Sequence, residues 1–294
     1  MTVEQVRANA RGITQNVHIT GPLDGSPVLL IHGNCSSGAY WYPLLRHLPA
    51  GLRVVAPDLR GYGATQPAPV DATRGLADFA DDVAALLDVP ELFPAGARPM
   101  VAGHSMGAGV AMRLVIERPE RVAGLLLESP VSPYGFGGTR LDGTPCAPDF
   151  AGSGGGTANP DLVKLIAEGD TSDADPLSPR NIVRTLYFPG PDTVRHEDAL
   201  LAAILRSRVG EGNYPGDAVE SPHWPGTAPG TLGVLNALSA KYLDWSAFLD
   251  SGCQAPVLWV RGDLDAIVSD ASFVDLGNLG ALGHVPGWPG EEVF

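Results

Sequence analysis

The sequence predicts an α/β fold, a doubly wound and mostly parallel sheet, on three observations. Short, wholly apolar runs of strand length alternate with helix-like stretches over residues 28–127. These runs read as strands buried on both faces, as parallel strands are. The same rhythm resumes at Pro256-Val257-Leu258-Trp259-Val260 after a long Gly/Pro/Asp-rich interruption. Alternation of this kind is the signature of stacked strand–helix–strand units.

Taken in order, Val17-His18-Ile19-Thr20 reads as an edge strand followed by a turn over Gly21–Pro27, and Val28–Ile31 as a buried strand ending at His32-Gly33-Asn34. Trp41–Leu48 can form a short helix, and Leu52–Ala56 is a strand stopped at Pro57-Asp58. Between Leu76 and Asp88, the residues Phe79, Val83, Leu86 and Leu87 form one apolar stripe of an amphipathic helix. Met100-Val101-Ala102 is the next strand. A turn at Ser105, a helix through Glu117 and a strand over Val122–Leu127 follow. The spacing thus predicts a core in two parts, 1–131 and 251–294, with a helical and irregular cap, 132–250, inserted after the sixth strand. Within the cap, helix-like pieces occur at Asp161–Glu168 and His196–Arg208, and Gly152–Gly156 reads as a mobile loop.

Composition sets outer limits. Hydrophobic residues make up 44% and charged residues 18%, ordinary for a chain that buries a sizeable core. The net charge of −14 argues against nucleic acid or an anionic membrane surface as partner, because both require a basic footprint. Cys35, Cys146 and Cys253 are an odd number at no metal-like spacing, so the chain is expected in a reducing, cytoplasmic compartment. Met1–Arg11 lacks the apolar stretch of a signal peptide, and no run approaches the length of a membrane span.

Ligand sites of doubly wound sheets gather at the carboxyl ends of strands, and His32, Asp58, Ser105 and Glu128 stand there. Gly103-His104-Ser105-Met106-Gly107 lies between a strand and a helix, a turn that presents a serine hydroxyl as a nucleophile. Gly fits on either side of that serine, where a side chain would crowd the turn. His104 leaves the turn in a different direction from Ser105 and is expected to pack beside the sheet. Such chemistry also needs an imidazole base, a carboxylate to orient it, and donors for an oxyanion. Seven histidines compete for the base. His18 and His47 are expected at the surface, His32 in the turn after its strand, and His196 and His223 in the cap. His284 follows Asp265, giving the order nucleophile, acid, base.

These residues together resemble the α/β-hydrolase-fold family, in its serine-nucleophile, esterase- and lactonase-like branch. The likeness is carried in register by His32-Gly33-Asn34, Asp58-Leu59-Arg60-Gly61-Tyr62-Gly63, Gly103–Gly107, Arg118-Pro119-Glu120-Arg121-Val122, Gly262–Val268 and Gly283-His284. The resemblance implies Ser105 as nucleophile, Asp265 as acid and His284 as base, with the backbone N–H groups of Asn34 and Met106 as the oxyanion donors. Asp263 and Glu128 are rival acids, and Asp58 is expected to hold the Arg60 turn. Thr65 stands where the family often has serine. Family members continue past the histidine loop into a final helix, whereas this chain stops at Phe294, ten residues after His284. Either the tail was removed or that surface is expected to be covered otherwise, with a homo-oligomer contact as one means.

The resemblance implies hydrolysis through an acyl-enzyme with no cofactor and no metal. The expected substrate is a medium-sized apolar carboxylic ester or lactone. Cys35, Trp41, Glu128, Tyr134 and Trp224 are candidate substrate-binding residues, with Phe136, Tyr214 and Trp245 as further cap aromatics. Two other readings stand beside it: a C–C bond hydrolase of aromatic degradation, and a low-turnover ligand-binding protein on the same scaffold.

Overall fold

A computed structural model describes residues 2–188 and 190–294. The chain opens with β1 (Glu4–Ala10), β2 (Ile13–Thr20) and β3 (Ser26–Ile31), followed by α1 (Tyr42–Leu45) and β4 (Leu52–Pro57). It continues through α2 (Ala77–Leu86), β5 (Met100–His104), α3 (Met106–Glu117) and β6 (Gly124–Glu128). Between β6 and the last strand lie α4 (Pro160–Glu168), α5 (Pro179–Ile182), α6 (Glu197–Ile204), the hairpin strands β7 (Ala218–Glu220) and β8 (Thr227–Pro229), and α7 (Val234–Ala237). β9 (Val257–Val260) and α8 (Leu276–Ala281) follow.

Seven strands form one sheet in the order β1-β2-β4-β3-β5-β6-β9. β1 and β2 pair antiparallel, β2 joins β4 antiparallel, and the remaining pairs are parallel. Alternate residues of the central strands feed two cores. Leu29, Ile31, Val101, Leu125 and Leu127 pack with Phe79, Val83, Val110 and Leu114 of α2 and α3 on one face. Leu30 and Ala102 pack with Trp41 and Leu45 on the other. Helices on both faces are what the apolar runs require.

Three expectations need correction. The strand expected at the edge, β2, is interior, because the mostly polar β1 adds outside it through a tight turn at Arg11-Gly12, both at positive φ. His18, expected at the surface, is buried; β2 lies beside β4, which brings the ring to Asp58 at 2.9 Å. Asp58 holds the turn that carries Arg60, as expected, though it makes no bond to the Arg60 side chain itself. It accepts from Asn16 Nδ2, Gly38 N and Ala64 N, while Arg60 forks onto Asp82 at 2.8 and 2.9 Å. Gly152–Gly156, expected to be a free loop, packs inward: added Cβ atoms would meet the Phe294 ring at Gly152 and the Phe136 ring at Gly154.

β9 departs from the doubly buried pattern. Val257, Leu258, Trp259 and Val260 are 45–59% exposed, because β6 pairs with one edge and, among the described residues, no helix layer closes over either face. No helix of the described residues is long and apolar enough to cross a membrane.

Candidate active site

The site forms where β3, β5 and β6 end side by side. Ser105 has φ 53° and ψ −120°, a conformation that costs a non-glycine residue about 1–3 kcal/mol. The turn is held by its N–H, which donates to the Glu128 carbonyl at 2.9 Å, and by its carbonyl, which accepts from Ala108 N at 3.0 Å. The glycines on either side are sterically required. A Cβ on Gly103 would lie 2.4 Å from the Gly107 oxygen, and one on Gly107 would lie 2.3 and 2.4 Å from the oxygens of Ile31 and His32.

The turn after β3 abuts this serine. An added Cβ on Gly33 would sit 3.1 Å from Ser105 Cβ. His32 locks that turn as a neutral ring: Nδ1–H donates to the Gly33 carbonyl at 2.7 Å, and Nε2 accepts the Leu59 N–H at 2.9 Å. Complete burial lowers its pKa to about 4, against a smaller opposing pull from Asp58. The Asn34 side chain is also fixed, with Oδ1 accepting from Tyr62 Oη at 2.6 Å. Among the described residues no hydrogen bond engages the backbone N–H of Asn34 or of Met106. Two backbone donors are thus unspent in the turns beside a strained, partly accessible serine, the second at a helix N-terminus where the dipole favours negative charge.

The His104 side chain turns toward Tyr40. Its ring stacks on Tyr40 with centroids 4.6 Å apart, and its buried Nδ1 finds no partner. Burial lowers its pKa to about 4, with Asp265 pulling weakly the other way. The Tyr40 hydroxyl donates to Glu128 Oε2 at 3.4 Å, and burial pushes that carboxyl above its ordinary range.

The acid and base candidates lie farther off. Asp265, half-buried in the loop after β9, accepts the N–H groups of Ile267 and Val268, both at 2.9 Å. Its rival Asp263 is exposed. His284 is exposed too, with its N–H on the Leu279 carbonyl at 2.8 Å. No hydrogen bond among the described residues joins the His284 ring to Ser105 or Asp265. Its loop is instead held to the β7–β8 hairpin, where Trp224 Nε1 donates to the Pro286 carbonyl at 2.8 Å and the Trp224 ring meets Phe294 edge-on at 5.0 Å.

Of the candidate substrate residues, Cys35 adjoins Asn34, with Sγ 3.6 Å from Oδ1, and Glu128 ends the neighbouring strand. Trp41 is spent on the core of the far sheet face, Tyr134 lies against Gly143, and Trp224 clasps the C-terminal segment. Tyr62 and Tyr187, which the sequence reading did not select, join Tyr214 around Cys35. Only the position of Tyr62, directly after Gly61 in the D-x-R-G-x-G segment, signalled nearness to the site. Among the described residues no group of three or more His, Cys, Asp or Glu side chains is placed to hold a metal ion.

The sequence profile of the family described as alpha/beta hydrolase fold matches residues 26–285. Among curated proteins, the chain is 35% identical over 121 residues to 2-hydroxymuconate semialdehyde hydrolase of Pseudomonas sp. (strain CF600), covering 40% of each. It is 38% identical over 121 residues to Lipase LipV of Mycobacterium tuberculosis, covering 40% of this chain and 42% of that one. The matches thus span about two fifths of these relatives' length. Among solved structures, the N-formylmaleamic acid deformylase Nfo of Pseudomonas putida S16 superposes with a TM-score of 0.56 at 20% identity, over 88% of this chain and 82% of that one.

Proposed function

The chain belongs to the alpha/beta hydrolase fold family, and on that footing we propose that it is a serine hydrolase cleaving a carboxylic ester or lactone through an acyl-enzyme. One observation carries the proposal: Ser105, strained at φ 53°, sits against Gly33 with the N–H groups of Asn34 and Met106 unspent beside it. Ser105 Oγ attacks the carbonyl carbon, and the oxygen that gains charge moves between those two donors. Collapse expels the alcohol and leaves the acyl group on Ser105, and attack by water then frees the acid.

The proposal takes His284 as base and Asp265 as acid, on their order along the chain and their motifs alone. The three cysteines are free, which fits the cytoplasm we assign to it.

Labelling by a fluorophosphonate probe and a burst of product from 4-nitrophenyl butyrate are expected, both lost in Ser105→Ala. Absence of labelling in the folded wild type refutes the proposal. His284→Ala is expected to slow acylation by at least ~100-fold; unchanged acylation removes His284 from the mechanism and leaves Ser105 in place. A second reading, C–C bond hydrolysis, is favoured by the 35% identity to the semialdehyde hydrolase. Turnover of a vinylogous diketone, with aryl esters left intact, would select it.

A further inference from the structure

The wall beside the oxyanion turn has a chemistry of its own. Cys35, Tyr62 and Tyr214 lie in one buried cluster, and Tyr187 packs against it. Ser207 is buried in the adjoining segment, with its hydroxyl facing the Cys35 thiol. Tyr62 is tied to Asn34 by a 2.6 Å bond, Cys35 Sγ lies 3.6 Å from Asn34 Oδ1, and Tyr214 also faces the Cys35 thiol. The backbone behind them is fixed. Arg208 N donates to the Gly61 carbonyl at 2.8 Å, Tyr214 N to the Arg208 carbonyl at 3.1 Å, and Gly61 leaves room only for Asn213.

None of the five carries charge, and their surroundings keep them neutral. Burial pushes the Cys35 thiol up to about 12 and raises all three phenols above their ordinary value. Among the described residues no hydrogen bond or ion pair brings a cation to these five side chains. Arg60, next to Gly61, is committed to Asp82 and to the Pro69 carbonyl, and Arg206 and Arg208, on either side of Ser207, are exposed. A carboxylate placed here would lose its hydration with no counter-charge, a penalty of the kind that buried unpaired ions incur. The overall charge of −14 works in the same direction, disfavouring the approach of anions. A neutral ester, ether or ketone oxygen needs no counter-charge and can accept from the Tyr187 and Tyr214 hydroxyls, the Tyr62 hydroxyl being engaged by Asn34.

Resting on the serine-hydrolase reading, we propose that the Tyr62–Tyr187–Tyr214 wall selects uncharged, oxygen-bearing acyl groups and rejects acyl groups that carry a carboxylate. This narrows the substrate to an ester or lactone of a neutral oxygenated acid. It also disfavours dienoate-type substrates, whose carboxylate the wall has nothing to pair with.

Three esters with acyl chains of matched backbone length test it at pH 7.5: 4-nitrophenyl pentanoate, 4-nitrophenyl methyl glutarate and mono-4-nitrophenyl glutarate. The methyl glutarate ester is expected to match or exceed the pentanoate in kcat/KM, with the free glutarate at least ~100-fold below both. Tyr187→Phe and Tyr214→Phe are expected to lower the ratio of methyl glutarate to pentanoate several-fold, a readout that losses in folding cancel from. Free glutarate turned over within about threefold of its methyl ester overturns the proposal, as does a ratio indifferent to both tyrosine changes. If no ester is cleaved, the serine-hydrolase reading has failed, and binding decides separately. Ligand-observed NMR on Ser105→Ala protein should detect dimethyl glutarate and not glutarate; the reverse pattern sinks the selectivity.

Discussion

Adding one methyl group to Gly107 tests the site's construction. The new Cβ would lie 2.3 Å from the Ile31 oxygen and 2.4 Å from the His32 oxygen, where real Cβ contacts essentially never fall below 3.0 Å. Both obstacles are main-chain atoms at the end of β3, so no side chain can rotate to relieve them. The start of α3 must then retreat from β3 by about 0.7 Å, the shortfall to that limit in a core packed too tightly to absorb it. This shift moves the Met106 N–H relative to the Asn34 N–H, the two donors that the proposal gives to the oxyanion. Overpacking of this kind costs about 1–3 kcal/mol, and in a domain of this size each kcal/mol lowers Tm by about 2–4 °C. Misplacement of catalytic groups by roughly 1 Å costs on the order of 100-fold in rate.

Gly109→Ala is the internal comparison. Its Cβ would meet Leu76 Cδ1 at 2.7 Å and Val131 Cγ1 at 2.8 Å, the ends of side chains that can turn aside. Alanine inside α3 also gains up to about 1 kcal/mol of helix propensity. Thermal melts followed by circular dichroism, with kcat and KM for 4-nitrophenyl butyrate, should show Gly107→Ala impaired in both and Gly109→Ala close to wild type. Wild-type kcat and Tm in Gly107→Ala would refute the placement of β3 against α3, and with it the shared oxyanion hole.

His32 and His104 have folded pKa values of about 4 against 6.5 unfolded, so the unfolded chain binds more protons between these limits. Their stabilisation is full above pH 6.5 and is lost as pH falls toward 4, on the order of 3 kcal/mol for each; urea midpoints of His104→Phe should lose about half of this two-histidine component. Asp58→Asn, which breaks the buried pair with His18, is expected to cost about 3 kcal/mol in urea denaturation, and a loss below about 1 kcal/mol would contradict the network. The Cys35 thiol, buried and raised to about 12, should resist iodoacetamide at pH 7.5 while Cys146 and Cys253 react, as peptide mass mapping would show; early modification of Cys35 would contradict its burial.

The sheet was legible where apolar runs were short and bounded. Val28–Ile31, Leu52–Ala56 and Met100–Ala102 read as strands, and the turn at Ser105 followed from its place between a strand and a helix. β1 was missed because Glu4–Ala10 is mostly polar; it becomes a strand by pairing with β2, and the Arg11-Gly12 turn was its only local signal. His18 was misplaced for a similar reason. Its burial depends on β2 lying beside β4, a pairing that brings Asp58 from forty residues away. The wall around Cys35 draws on residues 62, 187, 207 and 214, whose convergence is set by packing between distant segments. Aromatic residues chosen by their presence in the cap, such as Tyr134 and Trp224, were instead used for packing, because composition says which side chains are available and not which way they face.

Strain gives an independent reason to place the chemistry at these strand ends. Six non-glycine residues among those described have positive φ, and three of them, Cys35, Ser105 and Ser129, follow β3, β5 and β6, which are adjacent in the sheet. Each costs about 1–3 kcal/mol where glycine would relieve it, so random placement would scatter them over the many turns of the chain. Here they share one locus with the two unspent N–H groups, and each turns the backbone sharply just as it leaves the sheet. Ser129 N donates to the Val260 carbonyl at 2.7 Å, so the strained turn after β6 is tied to β9, and Ser105 N is tied to β6 by the Glu128 carbonyl. The distortion is thus held by ladder-type hydrogen bonds from strand to strand, and the central strands are backed by the larger core. A rigid sheet that maintains strain at one edge and leaves donors unpaired there is organised for a ligand carrying a charged or developing oxygen. The uncharged wall beside it then requires that this charge arise in the reaction and not arrive with the acyl group.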